Sequence, residues 1–177
     1  DATSGAQVSR LEIGNTYHSI PEFSPQADLV ASTYDSKSPA MHDATTGKVV
    51  MMFTGSSQNI FTLAFSPDGS RMVTGDTVGG IKIWDVATGK ILRFLELDTG
   101  QILDLEVSPQ GDRLASSSDD GRVVIWDIAS GQPVRTLVEN PPLVSSLSFS
   151  PDGKRLVTSG TDGLARLWDT TTGQLLL

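Results

Sequence analysis

His18 and His42 are the two histidines of the chain and the first candidates for proton transfer at neutral pH. Neither has a motif-placed carboxylate beside it, and there is no third histidine, so a Ser-His-Asp constellation has no support. The absence of cysteine excludes a thiolate nucleophile, thiolate metal ligands and disulfides. Asp119-Asp120-Gly121 and Thr161-Asp162-Gly163 have the flavour of calcium loops but lack alternating carboxylates and a distant glutamate, so no metal is expected. Gly75-Asp76-Thr77-Val78-Gly79-Gly80 lacks the spacing of a phosphate-cradling loop and reads as a hairpin; no cofactor is expected either. The Ser-Pro pairs at Ser24, Ser66, Ser108 and Ser150 have the form of proline-directed phosphorylation sites, yet turn formation accounts for all four together.

These serines, aspartates and glycines punctuate a repeat. Ser-Pro pairs begin at Ser24, Ser66, Ser108 and Ser150, a constant step of 42 residues. Gly5, Gly47, Gly89, Gly131 and Gly173 keep that step, as do Asp1, Asp43, Asp85, Asp127 and Asp169, without insertion or deletion. In the cleanest copy, Pro151 presets φ for a type I turn, Asp152 tolerates its second position and Gly153 takes the exit. Leu156-Val157-Thr158 then reads as a strand, Thr161-Asp162-Gly163 turns the chain back, and Leu164 to Trp168 alternates toward a large aromatic that must be buried. A period near 40–45 residues with four short strands and a Trp-Asp pair is the signature of a propeller blade. No segment has a helical period. The expected fold is therefore all-β, a β-propeller of four-stranded antiparallel blades.

The units divide as an extra outer strand over 1–13, a degenerate blade over 17–54, and blades over 59–96, 101–138 and 143–177. In the first blade Pro21 stands where the others have Leu63, Leu105 and Leu147, and Pro39 interrupts the third strand. His42 takes the tryptophan position there and is expected only to fill space, so this blade should be the least regular. Gln174 to Leu177 begins an outer strand that competes with Gln7 to Ile13 for one slot. The chain is thus expected to be a segment of a longer array.

With 21 acidic against 13 basic side chains, the net charge is −8 and the pI about 4.6. Such a chain repels phosphate backbones and anionic headgroups, so neither nucleic acid nor membrane is expected as a partner. No apolar run is long enough to cross a bilayer as a helix, and no Asn-x-Ser/Thr acceptor occurs. A cytoplasmic setting is the expectation.

Trp84-Asp85, Trp126-Asp127 and Trp168-Asp169, each closing a Ser-Pro hairpin unit, resemble the WD-repeat β-propellers, and the resemblance covers the whole chain. It implies a buried relay from the Trp indole through a strand hydroxyl to a His and on to a turn Asp. Ser32, Thr74, Ser116 and Thr158 match the hydroxyl position, and Trp84, Trp126 and Trp168 the indole position. The Asp position holds Ser36, Val78, Asp120 and Asp162, and the His position holds Gly14, Ser56, Asp98 and Asn140. No unit has the whole relay, so packing between blades is expected to carry stability.

The resemblance also implies a non-catalytic scaffold whose partner, a protein or peptide, binds the loops joining outer to next inner strand and second to third strand. Those loops carry Tyr17, Tyr34, Asp35, Asp76, Asp98, Asp119, Glu139 and Asn140, an acidic set suited to a basic partner, with few basic residues beyond Lys37. The opposite face, with Arg71, Arg113, Arg155 and Lys90, is mixed. Four blades also leave two apolar flanks, to be covered by other blades of a parent chain or by a second copy closing an eight-bladed ring. A propeller-type hydrolase is the remote alternative, since the inner strands are mainly apolar and hydroxyl-bearing, with Glu106 and Glu22 as their acids.

Overall fold

The computed structural model describes residues 3, 7, 21–26, 28–33, 36–96, 100–137 and 143–177. Along them run β1 (Glu22–Phe23), β2 (Leu29–Thr33), β3 (Pro39–Asp43), β4 (Val49–Met52), β5 (Ile60–Phe65), β6 (Arg71–Asp76), β7 (Gly80–Asp85) and β8 (Ile91–Glu96). These are followed by β9 (Ile102–Val107), β10 (Arg113–Ser118), β11 (Val123–Asp127), β12 (Pro133–Leu137), β13 (Val144–Phe149), β14 (Arg155–Gly160) and β15 (Ala165–Asp169). Each consecutive set of four forms one antiparallel meander, a blade, and β13-β14-β15 forms the last. There the Leu176 N–H donates to Leu167 O at 2.7 Å and the Leu167 N–H to Leu177 O at 3.0 Å, so the final residues start a fourth strand. The leading strand expected over 1–13 lies outside the described residues, apart from Thr3 and Gln7.

Three turns per unit produce the meander, and those after the first and third strands repeat one pattern each. After the first strand, the N–H groups of Gly69, Gly111 and Gly153 donate to the carbonyls of Ser66, Ser108 and Ser150 at 2.8 Å, with φ near +70° at each glycine. After the third strand, Asp43, Asp85, Asp127 and Asp169 accept the N–H of Thr46, Thr88, Ser130 and Thr172 at 2.6–2.8 Å, and the hydroxyls of the same residues. The Asp of each Trp-Asp pair is therefore a turn-former, which explains its place in the repeat. In the first blade β1 has only two residues, and Pro39 opens β3 instead of interrupting it, with its carbonyl accepting the Phe53 N–H at 2.8 Å.

The core lies in the seams between blades. Ala31, Met41 and Phe53 of the first blade meet Leu63, Phe65, Met72 and Trp84 of the second, with Phe53 edge-on to Trp84. Val73, Ile81, Ile83 and Leu95 meet Leu105, Val107, Leu114 and Trp126; Ala115, Val123, Ile125 and Leu137 meet Leu147, Phe149, Leu156 and Trp168. Gly75 marks how close the blades come, because a Cβ there would stand 2.5 Å from Ile102 Cγ2.

Carboxylates stitch the inner strands across the seams. Asp104 and Glu106 of β9 accept the Leu147 and Phe149 N–H groups of β13, each at 2.7 Å, and Glu22 accepts the Phe65 N–H at 3.4 Å. Asp104 is thus a third acid on the inner strands beside Glu106 and Glu22; it sits two residues from Glu106, which in a strand puts both on one face. Burial raises all three, Glu106 to about 7, with the nearby Asp104 and Glu22 charges adding to the rise. The four described sheets do not close into a ring. Val157 on the last blade is 41 % exposed, whereas its counterparts Ala31, Val73 and Ala115 are sealed by the following blade.

Candidate partner-binding face

Each blade fastens its third strand to its second through one buried hydrogen bond. The indole N–H groups of Trp84, Trp126 and Trp168 donate to Thr74, Ser116 and Thr158 at 2.9, 2.9 and 3.0 Å. In the first blade His42 does more than fill space: its Nε2 lies 2.8 Å from Ser32 Oγ, and Nδ1 lies 3.4 Å from the Gly47 carbonyl. The imidazole, fully buried, replaces the indole in the same bond. It is enclosed in the framework, out of reach of a substrate.

The second turns, between second and third strands, build the loop face. Asp120 accepts the Ser118 hydroxyl and the Arg122 N–H, at 2.5 and 3.0 Å. Asp162 accepts the Leu164 N–H and pairs with the Arg166 guanidinium at 2.6 Å. In the second blade, where Val78 occupies that aspartate position, Asp76 takes over from two residues earlier. Its Oδ1 accepts the Val78 and Gly80 N–H groups at 3.0 and 2.8 Å, and its Oδ2 faces Lys82 Nζ at 3.4 Å. Gly80 passes so close that any Cβ would strike this carboxylate.

Asp76 therefore departs from its expected place on the partner-facing surface: it is 3 % exposed and engaged by its own turn and by Lys82. Asp119 is exposed at the tip of the β10–β11 turn, against Gly100. Tyr17, Tyr34, Asp35, Asp98, Glu139 and Asn140 lie outside the described residues.

Between the β4–β5 connection, the β6–β7 turn and β8 lies a cleft of about 400 Å³. Lys82 and Asp76 form its floor, Val78, Ile91 and Phe94 its apolar walls, and Glu96 stands beside Phe94. The Lys82 ammonium sits 4.9 Å from the centroid of the Phe94 ring, whose side chain is still 52 % exposed. Lys82, Phe94 and Glu96 are not marked by the repeat pattern, because they stand at strand positions that vary from blade to blade; a phenylalanine at 94, where the first and third blades have Met52 and Thr136, was the available signal.

An all-β array of meanders, sealed by Trp–hydroxyl bonds and presenting the turns between second and third strands on one face, is an open run of β-propeller blades. The family model described as WD domain, G-beta repeat matches residues 89–127 and 131–169, and the model described as anaphase-promoting complex subunit 4 WD40 domain matches residues 21–105. The chain belongs to the WD-repeat β-propeller family. Both repeat matches run from an outer strand into the first three strands of the next blade, so the sequence unit straddles a seam. No curated protein matches the chain. WD repeats are generally protein-interaction scaffolds and are typically non-catalytic.

Proposed function

We propose that the chain is an interaction scaffold that holds a peptide or protein partner on its loop face. The observation that carries this reading is the cleft at the second blade, where exposed apolar side chains stand beside an acid on a face otherwise made of self-satisfied turns. Apolar walls with a few placed polar groups are the usual make-up of a binding site. Exposed acids at Glu96 and Asp119 favour a basic partner. The test is selection of binders from a random peptide library, followed by charge reversal. Asp119→Lys combined with Glu96→Lys is expected to weaken the selected binders at least tenfold, and Lys90→Glu combined with Arg155→Glu on the opposite face to leave them unchanged. Binders sensitive only to the second pair would overturn the proposal.

A second reading rests on a separate observation, the bare flank of the last blade. Val157, Ala165 and Leu167 occupy the positions that the following blade covers elsewhere in the chain, yet they retain access to solvent. On this reading a second copy supplies the covering blade, and two copies build an eight-bladed assembly.

A further inference from the structure

The repeat is its own control: a side chain that the blade needs recurs every 42 residues, and one that it does not need stands out. Three such departures converge on the second-blade cleft. Val78 replaces the turn acid found as Asp120 and Asp162. Phe94 stands where the first and third blades have Met52 and Thr136, and Glu96 where they have Thr54 and Val138. Lys82, by contrast, stands where the fourth blade has Arg166, and it pairs with its turn acid Asp76 as Arg166 does with Asp162, so it belongs to the turn. The neighbouring seams pack without a counterpart of Val78, Phe94 or Glu96, so blade formation does not account for these three.

Resting on the scaffold reading above, we infer that this cleft receives an arginine side chain from an extended basic peptide. The Phe94 ring already holds one cation, the Lys82 ammonium at 4.9 Å, and half of its surface remains open. Asp76 balances Lys82 at 3.4 Å, whereas Glu96 is exposed and has no ion pair among the described residues. The cleft's charge is therefore −1, from Asp76 and Glu96 against Lys82. A guanidinium stacks on an aromatic face and pairs with a carboxylate in the same plane, while its methylene stem lies along apolar walls such as Val78 and Ile91. An anionic group would meet Glu96 as a like charge. A purely apolar one would bury Glu96 without a partner.

The test is an amide-resolved NMR titration of the chain with acetyl-Ala-Arg-Ala-amide, and with the norleucine and glutamate counterparts. The expected result is that shifts induced by the arginine peptide cluster at residues 55–58, 78–82 and 94–96. Affinity should fall at least fivefold in Phe94→Ala and in Glu96→Gln, and stay unchanged in Arg155→Gln on the opposite face, with the spectra reporting that each variant is folded. Equal binding of the norleucine peptide, shifts elsewhere on the molecule, or indifference to both cleft substitutions would overturn the inference. Library-selected binders that are lost on Asp119→Lys but insensitive to Phe94→Ala and Glu96→Gln would overturn it as well, while leaving the loop face as the scaffold's binding surface.

Discussion

His42 and Asp76 show how a repeat absorbs substitutions. At 42 an imidazole nitrogen reaches the Ser32 hydroxyl as an indole nitrogen does in the other blades. At 76 a carboxylate two residues early forms the turn that Asp120 and Asp162 form from the usual position. Replacing either should therefore cost more than an ordinary loop or filler residue. His42→Ala leaves the buried Ser32 hydroxyl without its partner, and about 1–3 kcal/mol of stability should be lost from that alone. Asp76→Ala strands the Lys82 ammonium inside the fold, and the loss should be about 3–5 kcal/mol. Urea denaturation midpoints measure both; an unchanged midpoint would mean that the group is not integrated as described. The hydroxyl and indole positions could be read from spacing. The role of His42 could not, because only the folded distance distinguishes a hydrogen-bonded imidazole from a filler.

The strands and turns carry opposing pH dependences. Hydrogen bonds from Thr46, Thr88, Ser130 and Thr172 hold Asp43, Asp85, Asp127 and Asp169 below the usual carboxylate range, and the Ser66 hydroxyl, with Ser70, brings Asp68 down to about 2. What these turns contribute is complete above the unfolded value of 3.8 and is lost as pH falls below it. Glu106 acts in the other direction. Desolvation lets the folded chain keep its proton up to about pH 7, whereas the unfolded chain releases it near 4.5. Between those values the folded state binds more protons, so stability falls as pH rises. The thermal midpoint is expected to climb from pH 7.5 to about 5 and then drop below about 4. Glu106→Gln, which keeps an acceptor for the Phe149 N–H, should flatten the neutral limb and spare the acidic one. A slope between pH 5 and 7 that survives this substitution would assign it elsewhere.

At the scale of the whole molecule, the sealed seams and the bare flank of the last blade make a concentration-dependent prediction. Under the second reading, light scattering after size exclusion gives twice the chain's 18.8 kDa over a tenfold concentration range, and Val157→Lys returns the mass to that of one chain. A single-chain mass throughout would remove that reading and leave the loop-face proposal untouched. The repeat, its blades and its turns were legible in the sequence by itself, because contacts within one unit of 42 residues set them and every copy states them again. The binding cleft was not legible. Gln58, Val78 and Phe94 belong to three different segments and meet only when the meander folds and the first blade's exit strand reaches the second. The same holds for Asp104 and Glu106, whose partners are backbone groups 43 residues away on the next blade. Spacing encodes what a unit does to itself; what one unit offers its neighbour, or a partner, depends on side-chain directions that only tertiary packing decides.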